Sequence, residues 1–319
     1  MINSFRSQEI WGRVLIPLGF FAALLPVTTS AMALLLGVFL ALVVGNPYIA
    51  KTRKLTRPML AWSIVGLGAG VNLLVVLKAG LDGIFFTLLS LTATLLVGMY
   101  LGRWLKINRE TSVLLNVGTA ICGGSAIAAV SSAIRAKDES TAVALGIVFI
   151  LNALGLLIFP SLGHWFQLSQ HQFGMWSALA IHDTSSVVGA AMQYGPQALE
   201  VGTTVKLVRA LWIIPVSILF AKYFRKETGA SEVKQATQYP WFIGGFLLMS
   251  ALVTWVEVLQ PLGHQIEWLA KRALVATIFL IGSGLTLATL QKVGIKALVH
   301  GVVLWILVAS TSLVFIHWG

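Results

Sequence analysis

The amino-acid sequence predicts an all-α protein that crosses a membrane many times as a bundle of helices. Hydrophobic residues make up 57% of its 319 residues and charged residues only 10%, and the mean hydropathy is +0.88. Apolar stretches of about 20 residues, enough to span a bilayer, alternate with short polar connections. A soluble core cannot bury so much apolar surface, so we expect a single integral-membrane transporter domain over residues 1–319.

The apolar stretches predict about eleven transmembrane helices. The first two form a hairpin from the runs 14–27 and 31–44, and Pro47 ends the second because proline cannot continue a helix. The other nine are expected near residues 59–78, 82–102, 111–134, 140–160, 174–193, 200–222, 240–260, 271–291 and 295–317. The longest polar stretch, Arg225 to Tyr239, is predicted to be a loop.

The basic residues are interpreted as topology signals. A net charge of +11 would suggest a nucleic-acid partner in a soluble protein, but here Lys and Arg lie in short connections between apolar runs. We therefore expect no nucleic-acid partner. The densest cluster, Lys51, Arg53, Lys54 and Arg57, is assigned to the cytoplasm by the positive-inside rule, which also places the N-terminus there.

Metal and redox chemistry are not expected. The chain has a single cysteine, Cys122, which excludes an intrachain disulfide and any metal site built from several cysteines. His164, His171 and His264 lie in connections without metal-ligand spacing. We expect no metal and no cofactor.

A stretch rich in small residues, 116–129, interrupts the predicted helix 111–134. It contains Gly118 and the adjacent pair Gly123 and Gly124, which free the backbone from one helical course. Hydrocarbon tolerates such a break only where it faces protein or a water-filled cavity, and in transporters broken helices bind ions at the bilayer midplane. The stretch therefore predicts a discontinuous helix. The alternative is an unbroken helix whose glycines pack closely against a neighbour.

Polar and ionisable residues occur at the middle of the predicted helix 174–193. His182 and Asp183 would lie near mid-span, followed by the hydroxyls of Thr184, Ser185 and Ser186. Ionisable groups at this depth commonly mark functional sites, and His182 could carry a proton because its ordinary pKa lies near neutrality. The alternative is structural: Asp183 and the hydroxyls would cap a helix interruption.

Two cations lie three residues apart in the predicted helix 200–222. Lys206 and Arg209 would share one face, and the arginine fork matches two oxygens of a carboxylate, sulfonate or sulfate. They could instead neutralise Asp183, or extend to the membrane interface. Because Asp183 can neutralise only one of them, one positive charge remains to attract an anion.

An internal repeat is also indicated. Residues 68–80 align without gaps to residues 282–294, with recurring glycines, leucine and lysine. The predicted topology makes the two helices antiparallel, which favours an inverted repeat. The register stays open because Gly123, Gly124 and Ser125 match residues 282–284 almost as well.

Three motifs in this order resemble the YeiH family of bacterial inner-membrane proteins, described as candidate sulfate exporters. They are residues 118–126, 181–185 and 205–209, which read Gly-Thr-Ala-Ile-Cys-Gly-Gly-Ser-Ala, Ile-His-Asp-Thr-Ser and Val-Lys-Leu-Val-Arg. The resemblance implies a bacterial inner-membrane transporter in the style of sodium/proton antiporters and bile-acid symporters, with a sulfur oxyanion as substrate. The family's basic motif often reads Lys-Leu-Thr-Arg, and Val208 stands here at the threonine position.

These observations lead to the hypothesis of a secondary transporter, not an enzyme, for a small anion, most specifically sulfate or sulfite. One helical bundle would rock against another around the site. The lipid bilayer and a coupling proton or sodium ion are the expected partners, and a homodimer is compatible with the sequence. The expected substrate contacts are Thr119, Gly123, Gly124, Ser125, Thr184, Ser185, Lys206 and Arg209, and the expected ion-coupling residues are His182 and Asp183.

Other functions stay open. The substrate could be another small organic anion or a nucleobase-like solute. An intramembrane enzyme could use His182, Asp183 and Ser185, but neighbours along one helix do not easily form a nucleophile, base and orienting group. A structural membrane subunit would explain the helices but not the cation pair of Lys206 and Arg209 beside Asp183.

Overall fold

The computed structural model describes residues 2–228, 241–285 and 294–318. Most of these residues are helical and none of them forms a strand, which confirms the predicted all-α class. The chain divides into two compact units. Unit 1 comprises Met1–Lys78 and Trp241–Leu290, and unit 2 comprises Ala79–Pro240 and Gln291–Gly319.

The helices follow one another with short connections. In chain order they are α1 Ile2–Leu24, α2 Ser30–Val43, α3 Ile49–Leu67, α4 Leu73–Trp104, α5 Arg109–Ala120, α6 Gly124–Ile134, α7 Asp138–Trp165, α8 Gln170–Ala180, α9 Thr184–Tyr194, α10 Pro196–Leu211, α11 Ile213–Thr228, α12 Trp241–Trp255, α13 Gln260–Ser283 and α14 Ile295–Trp318. Two short 3-10 helices occupy Gly68–Gly70 and Glu257–Leu259.

The predicted N-terminal hairpin is present as α1 and α2. The side chain of Thr29 caps α2 by accepting a hydrogen bond from the amide of Met32 at 3.2 Å. The helix ends at Val43, ahead of Pro47 as expected. The side-chain nitrogen of Asn46 then donates to the carbonyl and hydroxyl oxygens of Ser283 at 3.1 and 3.2 Å, which joins the end of the hairpin to α13.

The prediction of one helix over residues 59–78 is wrong in its bounds. Helix α3 begins at Ile49, ahead of the basic cluster, which is therefore helical. Long Lys and Arg side chains permit this because their apolar stems can lie along the helix while their charged ends stay in the polar interface. It ends at Leu67. The 3-10 helix that follows places Gly68 against α12, where an added methyl would lie 3.2 Å from the α-carbon of Phe246.

The two arms of the proposed repeat have the same local turn where both are described. The amide of Val71 donates to the carbonyl of Gly68 at 3.3 Å, and at the matching positions the amide of Leu285 donates to the carbonyl of Gly282 at 3.0 Å. The rest of the second arm, 286–293, lies outside the described residues, as does most of the predicted loop 225–239.

Unit 2 contains two pairs of short helices, α5 with α6 and α8 with α9. Their lengths are 12, 11, 11 and 11 residues. At 1.5 Å per residue each is about 17 Å long, roughly half of the ~30 Å hydrocarbon core. Each pair therefore makes one discontinuous crossing. The predicted break between α5 and α6 is confirmed, and the expected helix 174–193 is broken at His182 and Asp183.

Single helices long and apolar enough to cross a membrane are also present. By length and composition the described residues contain three: Glu139–Trp165, Pro196–Phe224 and Ile295–His317. Together with the shorter apolar helices they make this a helical membrane protein. The predicted number of eleven spans stays a prediction.

The contact between α2 and α13 is tested by Gly37→Ala. A methyl on Gly37 would lie 2.9 Å from the amide nitrogen of Ser283 and also collide with the carbonyl of Phe279, both backbone groups that cannot move aside. We expect a loss of about 1–3 kcal/mol and a lower apparent melting temperature of the detergent-purified protein. The matched control is Gly244→Ala, which meets nothing within 4 Å; equal melting temperatures for both variants would contradict the prediction.

Candidate functional site

The first helix break depends on Gly123. Helix α5 ends at Ala120, and Gly123, which precedes α6, has φ 64° and ψ −124°, a conformation that L side chains rarely adopt. Its amide donates to the carbonyl of Gly118 at 2.9 Å, which closes the turn. The glycine pair noted in the sequence is therefore used to change the direction of the backbone.

The second break is stabilised by Asp183. Its carboxylate accepts hydrogen bonds from the amides of Ser185 at 3.1 Å and Ser186 at 3.3 Å, and from both serine hydroxyls. These contacts cap the N-terminus of α9. The helix interruption offered as the structural alternative is thus present, with Asp183 as its N-cap.

Asn152 of α7 satisfies the backbone of the same break. Its side-chain oxygen accepts from the amides of His182 at 3.1 Å and Asp183 at 3.2 Å, while its side-chain nitrogen is buried and has no hydrogen-bond partner among the described residues. In the sequence Asn152 is an isolated amide within the apolar run 140–163. Its contact with the break could not be read from the sequence because it joins residues about 30 positions apart.

The two breaks meet inside unit 2. A methyl added to Gly123 would lie 3.3 Å from the β-carbon of Asp183 and 3.3 Å from a methyl of Val148 on α7. Since Gly123 precedes α6 and Asp183 precedes α9, the N-terminal ends of both half-helices lie side by side. Helix N-termini carry partial positive charge.

Arg209 joins the two opposite ends. Its guanidinium donates to the carbonyls of Ala120 at 2.6 Å and Thr119 at 3.1 Å, which end α5. It also donates to the carbonyls of Ala178 at 3.1 Å and Leu179, which end α8. One side chain of α10 therefore binds the C-terminal ends of both broken helices.

Lys206 adds a second cation at the end of α8. Its ammonium donates to the carbonyls of Ile181 at 2.7 Å and Ala178 at 3.2 Å. Lys206 and Arg209 are both 0% exposed, so neither extends to the interface. In the part of the chain that the structure describes, neither forms an ion pair with Asp183. Their charges stabilise the negative ends of the half-helix dipoles.

The remaining predicted site residues lie at or near the breaks. Ser125 is exposed in the first turn of α6 and Gly124 is half-buried, whereas Thr184 is buried. Thr119 and His182 are also buried, and neither the hydroxyl of Thr119 nor either ring nitrogen of His182 has a hydrogen-bond partner among the described residues. Whether these groups contact a substrate or a coupling ion stays a prediction.

Comparison with known proteins places the chain in a family. Residues 14–315 match the model of a family described as Conserved hypothetical protein 698. A UPF0324 membrane protein of Bdellovibrio bacteriovorus is 54% identical over 312 residues, which cover 96% of this chain and 95% of that protein. The chain belongs to the UPF0324 membrane protein family.

Further members of the UPF0324 family are similarly related. A relative from Bacteroides thetaiotaomicron is 45% identical and covers 91% of this chain and 86% of its own length. Another from Geobacter sulfurreducens is 45% identical and covers 91% of both chains. These relatives are named as membrane proteins, which agrees with the apolar helices. No solved structure matches the chain.

The conformation of the first break is tested by Gly123→Ala. A β-carbon there would be strained at φ 64° and crowded by Asp183 and Val148, so we expect a lower melting temperature by several degrees, corresponding to about 1–3 kcal/mol. The matched control is Gly124→Ala, whose methyl would meet only the side chains of Phe149 and Leu145. An equal loss of stability in both variants would show that the left-handed backbone is not the reason.

The bridge that the Arg209 side chain forms between the ends of α5 and α8 is tested by Arg209→Met. The variant leaves the carbonyls at the ends of α5 and α8 without their charged donor, and breaking a buried charged network costs roughly 3–5 kcal/mol. We expect a large drop in apparent melting temperature, only partly recovered by Arg209→Lys because an ammonium cannot form the fork. Lys222→Met, at an exposed position of α11, is the control; a similarly small effect at both positions would refute the bridge.

Proposed function

We propose that this UPF0324 protein is a secondary transporter that moves a small anion across the bacterial inner membrane. The observation that supports it is the meeting of two helix breaks, with the N-terminal ends of α6 and α9 side by side at Gly123 and Asp183. Irregular backbone at membrane depth is retained where it is buried in protein or lines a polar path, and transporters use it to bind their substrate.

The two N-terminal ends are not equivalent. Asp183 caps α9, whereas α6 has no side-chain cap. The first N–H groups of a helix have no carbonyl partner within the helix. In α6 the N–H of Ala126 faces the sulfur of Cys122, which leaves those of Gly124 and Ser125 to bind an anion, as N-termini commonly do. Ser125, in this first turn, is exposed, so the described residues do not cover the end of α6 completely.

The buried cations bind the negative ends of the half-helix dipoles. Lys206 and Arg209 bind the C-terminal ends of α5 and α8, and so offset the negative ends of these helix dipoles. Their direct contact with a substrate, as predicted from the sequence, would require them to exchange these carbonyls for the anion. We propose that they act mainly by holding the half-helices and by their positive potential.

Substrate class, coupling and orientation complete the proposal. The family resemblance favours a sulfur oxyanion, sulfate or sulfite. An ion gradient would drive the transport, with His182 and Asp183 as the coupling residues, because ionisable groups at membrane depth are typical of proton relays. We propose a cytoplasmic N-terminus, which the basic cluster 51–57 supports through the positive-inside rule.

The proposal is tested by flux into proteoliposomes that contain only the purified protein. We expect saturable uptake of radiolabelled sulfate or sulfite, and a reduction of about tenfold in Thr119→Val, since this change removes a buried hydroxyl without a protein partner at the break while keeping the shape of the side chain.

The matched control is Thr94→Val. Thr94 is equally buried in unit 2, but its hydroxyl donates to the carbonyl of Ser90 in its own helix at 2.6 Å. We expect its flux to equal that of the wild type. Uptake no greater than in protein-free liposomes for every small anion tested would refute the proposed transporter. Equal losses of flux in both variants would show that the Thr119 hydroxyl does not contact the transported anion.

A further inference from the structure

We propose that the site between the two helix breaks selects singly charged anions over doubly charged ones. This inference rests on the proposed anion transport and specifies the charge of the substrate. Two observations support it: the net charge of the side chains around Gly123 and Asp183, and the hydrogen-bond donors there that have no partner among the described residues.

The charges at the two breaks, two buried cations and the half-buried Asp183, leave an excess of about +1. Lys206 and Arg209, both 0% exposed, contribute two positive charges, and Asp183 contributes one negative charge. The helix ends cancel, because the ends of α5 and α8 carry about −0.5 each and those of α6 and α9 about +0.5 each. His182, which has no hydrogen-bond partner for either ring nitrogen among the described residues, is counted as neutral.

The helices at the two breaks carry few other charged side chains. Residues 111–134 and 140–163, in α5 to α7, contain no Asp, Glu, Lys or Arg. On α10, Glu200 precedes Lys206 by six residues, about 9 Å along the helix axis. Glu200 is half-buried, as Asp183 is. Asp183, however, follows by two residues Ile181, whose carbonyl Lys206 binds, so Asp183 belongs to the site and Glu200 does not.

Unused donors at the breaks indicate an anion with several oxygens. The side-chain amide of Asn152 is held at the second break by its oxygen, which places its unpartnered nitrogen beside the amides of His182 and Asp183. The hydroxyl of Thr119 is likewise buried without a partner. Buried donors are normally satisfied, so these groups and the uncapped N-terminus of α6 suit an oxyanion.

A singly charged oxyanion makes the occupied site neutral. A dianion would leave a net negative charge in a region of low dielectric constant, where an uncompensated ion is strongly disfavoured. The favoured substrates are therefore hydrogensulfite, an organic sulfonate or a monocarboxylate, rather than sulfate.

The test compares methanesulfonate with sulfate, since both are tetrahedral sulfur oxyanions but differ by one charge at neutral pH. Binding of each radiolabelled anion to the purified full-length protein in nanodiscs gives the ratio of the two affinities. We expect the wild type to favour methanesulfonate by at least about tenfold. Asp183→Asn raises the excess charge to about +2 while keeping an acceptor oxygen for the cap, so the ratio should shift toward sulfate by at least about tenfold.

The control variant is Glu200→Gln, which removes a carboxylate outside the site and should leave the ratio at the wild-type value. A wild type that prefers sulfate would overturn the proposal, and this measurement needs no variant to fold. An Asp183→Asn protein that loses affinity for both anions equally would also overturn it, because Asp183 would then act only as a cap. Absence of binding by methanesulfonate, hydrogensulfite, acetate and sulfate alike would refute the proposed anion transport itself.

Discussion

The contact between the Arg209 guanidinium and the carbonyls at the ends of α5 and α8 is the interaction on which the rest of the site depends. A helix that stops inside hydrocarbon leaves carbonyl groups that lipid cannot satisfy. Arg209 supplies donors to both helix ends, and Lys206 supplies a further donor to the end of α8. The planar fork of arginine suits this role because it can bind two separate helix ends in a fixed geometry.

The bridge also sets the direction of the electrostatic field. With the C-terminal ends fixed at the cations, the N-terminal ends of α6 and α9 come together at Gly123 and Asp183. Asp183 satisfies α9 and leaves α6 uncapped, so one helix end stays available. Under the proposed function, the arrangement of charges that stabilises the fold would also attract the anion.

Unit 1 is held together differently. Its helices α2 and α13 lie so close that a methyl on Gly37 or Gly282 would collide with the backbone of the facing helix. Asn46 adds hydrogen bonds to Ser283. Small residues permit such contacts, which stabilise membrane helices by close packing because lipid provides no hydrophobic drive for association. The chain therefore uses buried charge in unit 2 and close backbone contact in unit 1.

The sequence by itself determined the helical membrane class, since apolar runs of bilayer length have few alternative structures. It indicated a break within residues 116–129, because a glycine pair permits backbone conformations that other residues resist, but only the structure excluded an unbroken helix, through φ 64° at Gly123. It also indicated His182, Asp183, Lys206 and Arg209 as unusual, since an ionisable side chain inside hydrocarbon is unfavourable unless it has a partner or contacts water. Only the tertiary structure decided their partners. Lys206 and Arg209 bind backbone carbonyls rather than Asp183, and Asn152 binds the second break, because the groups freed by a broken helix are satisfied by side chains distant in sequence.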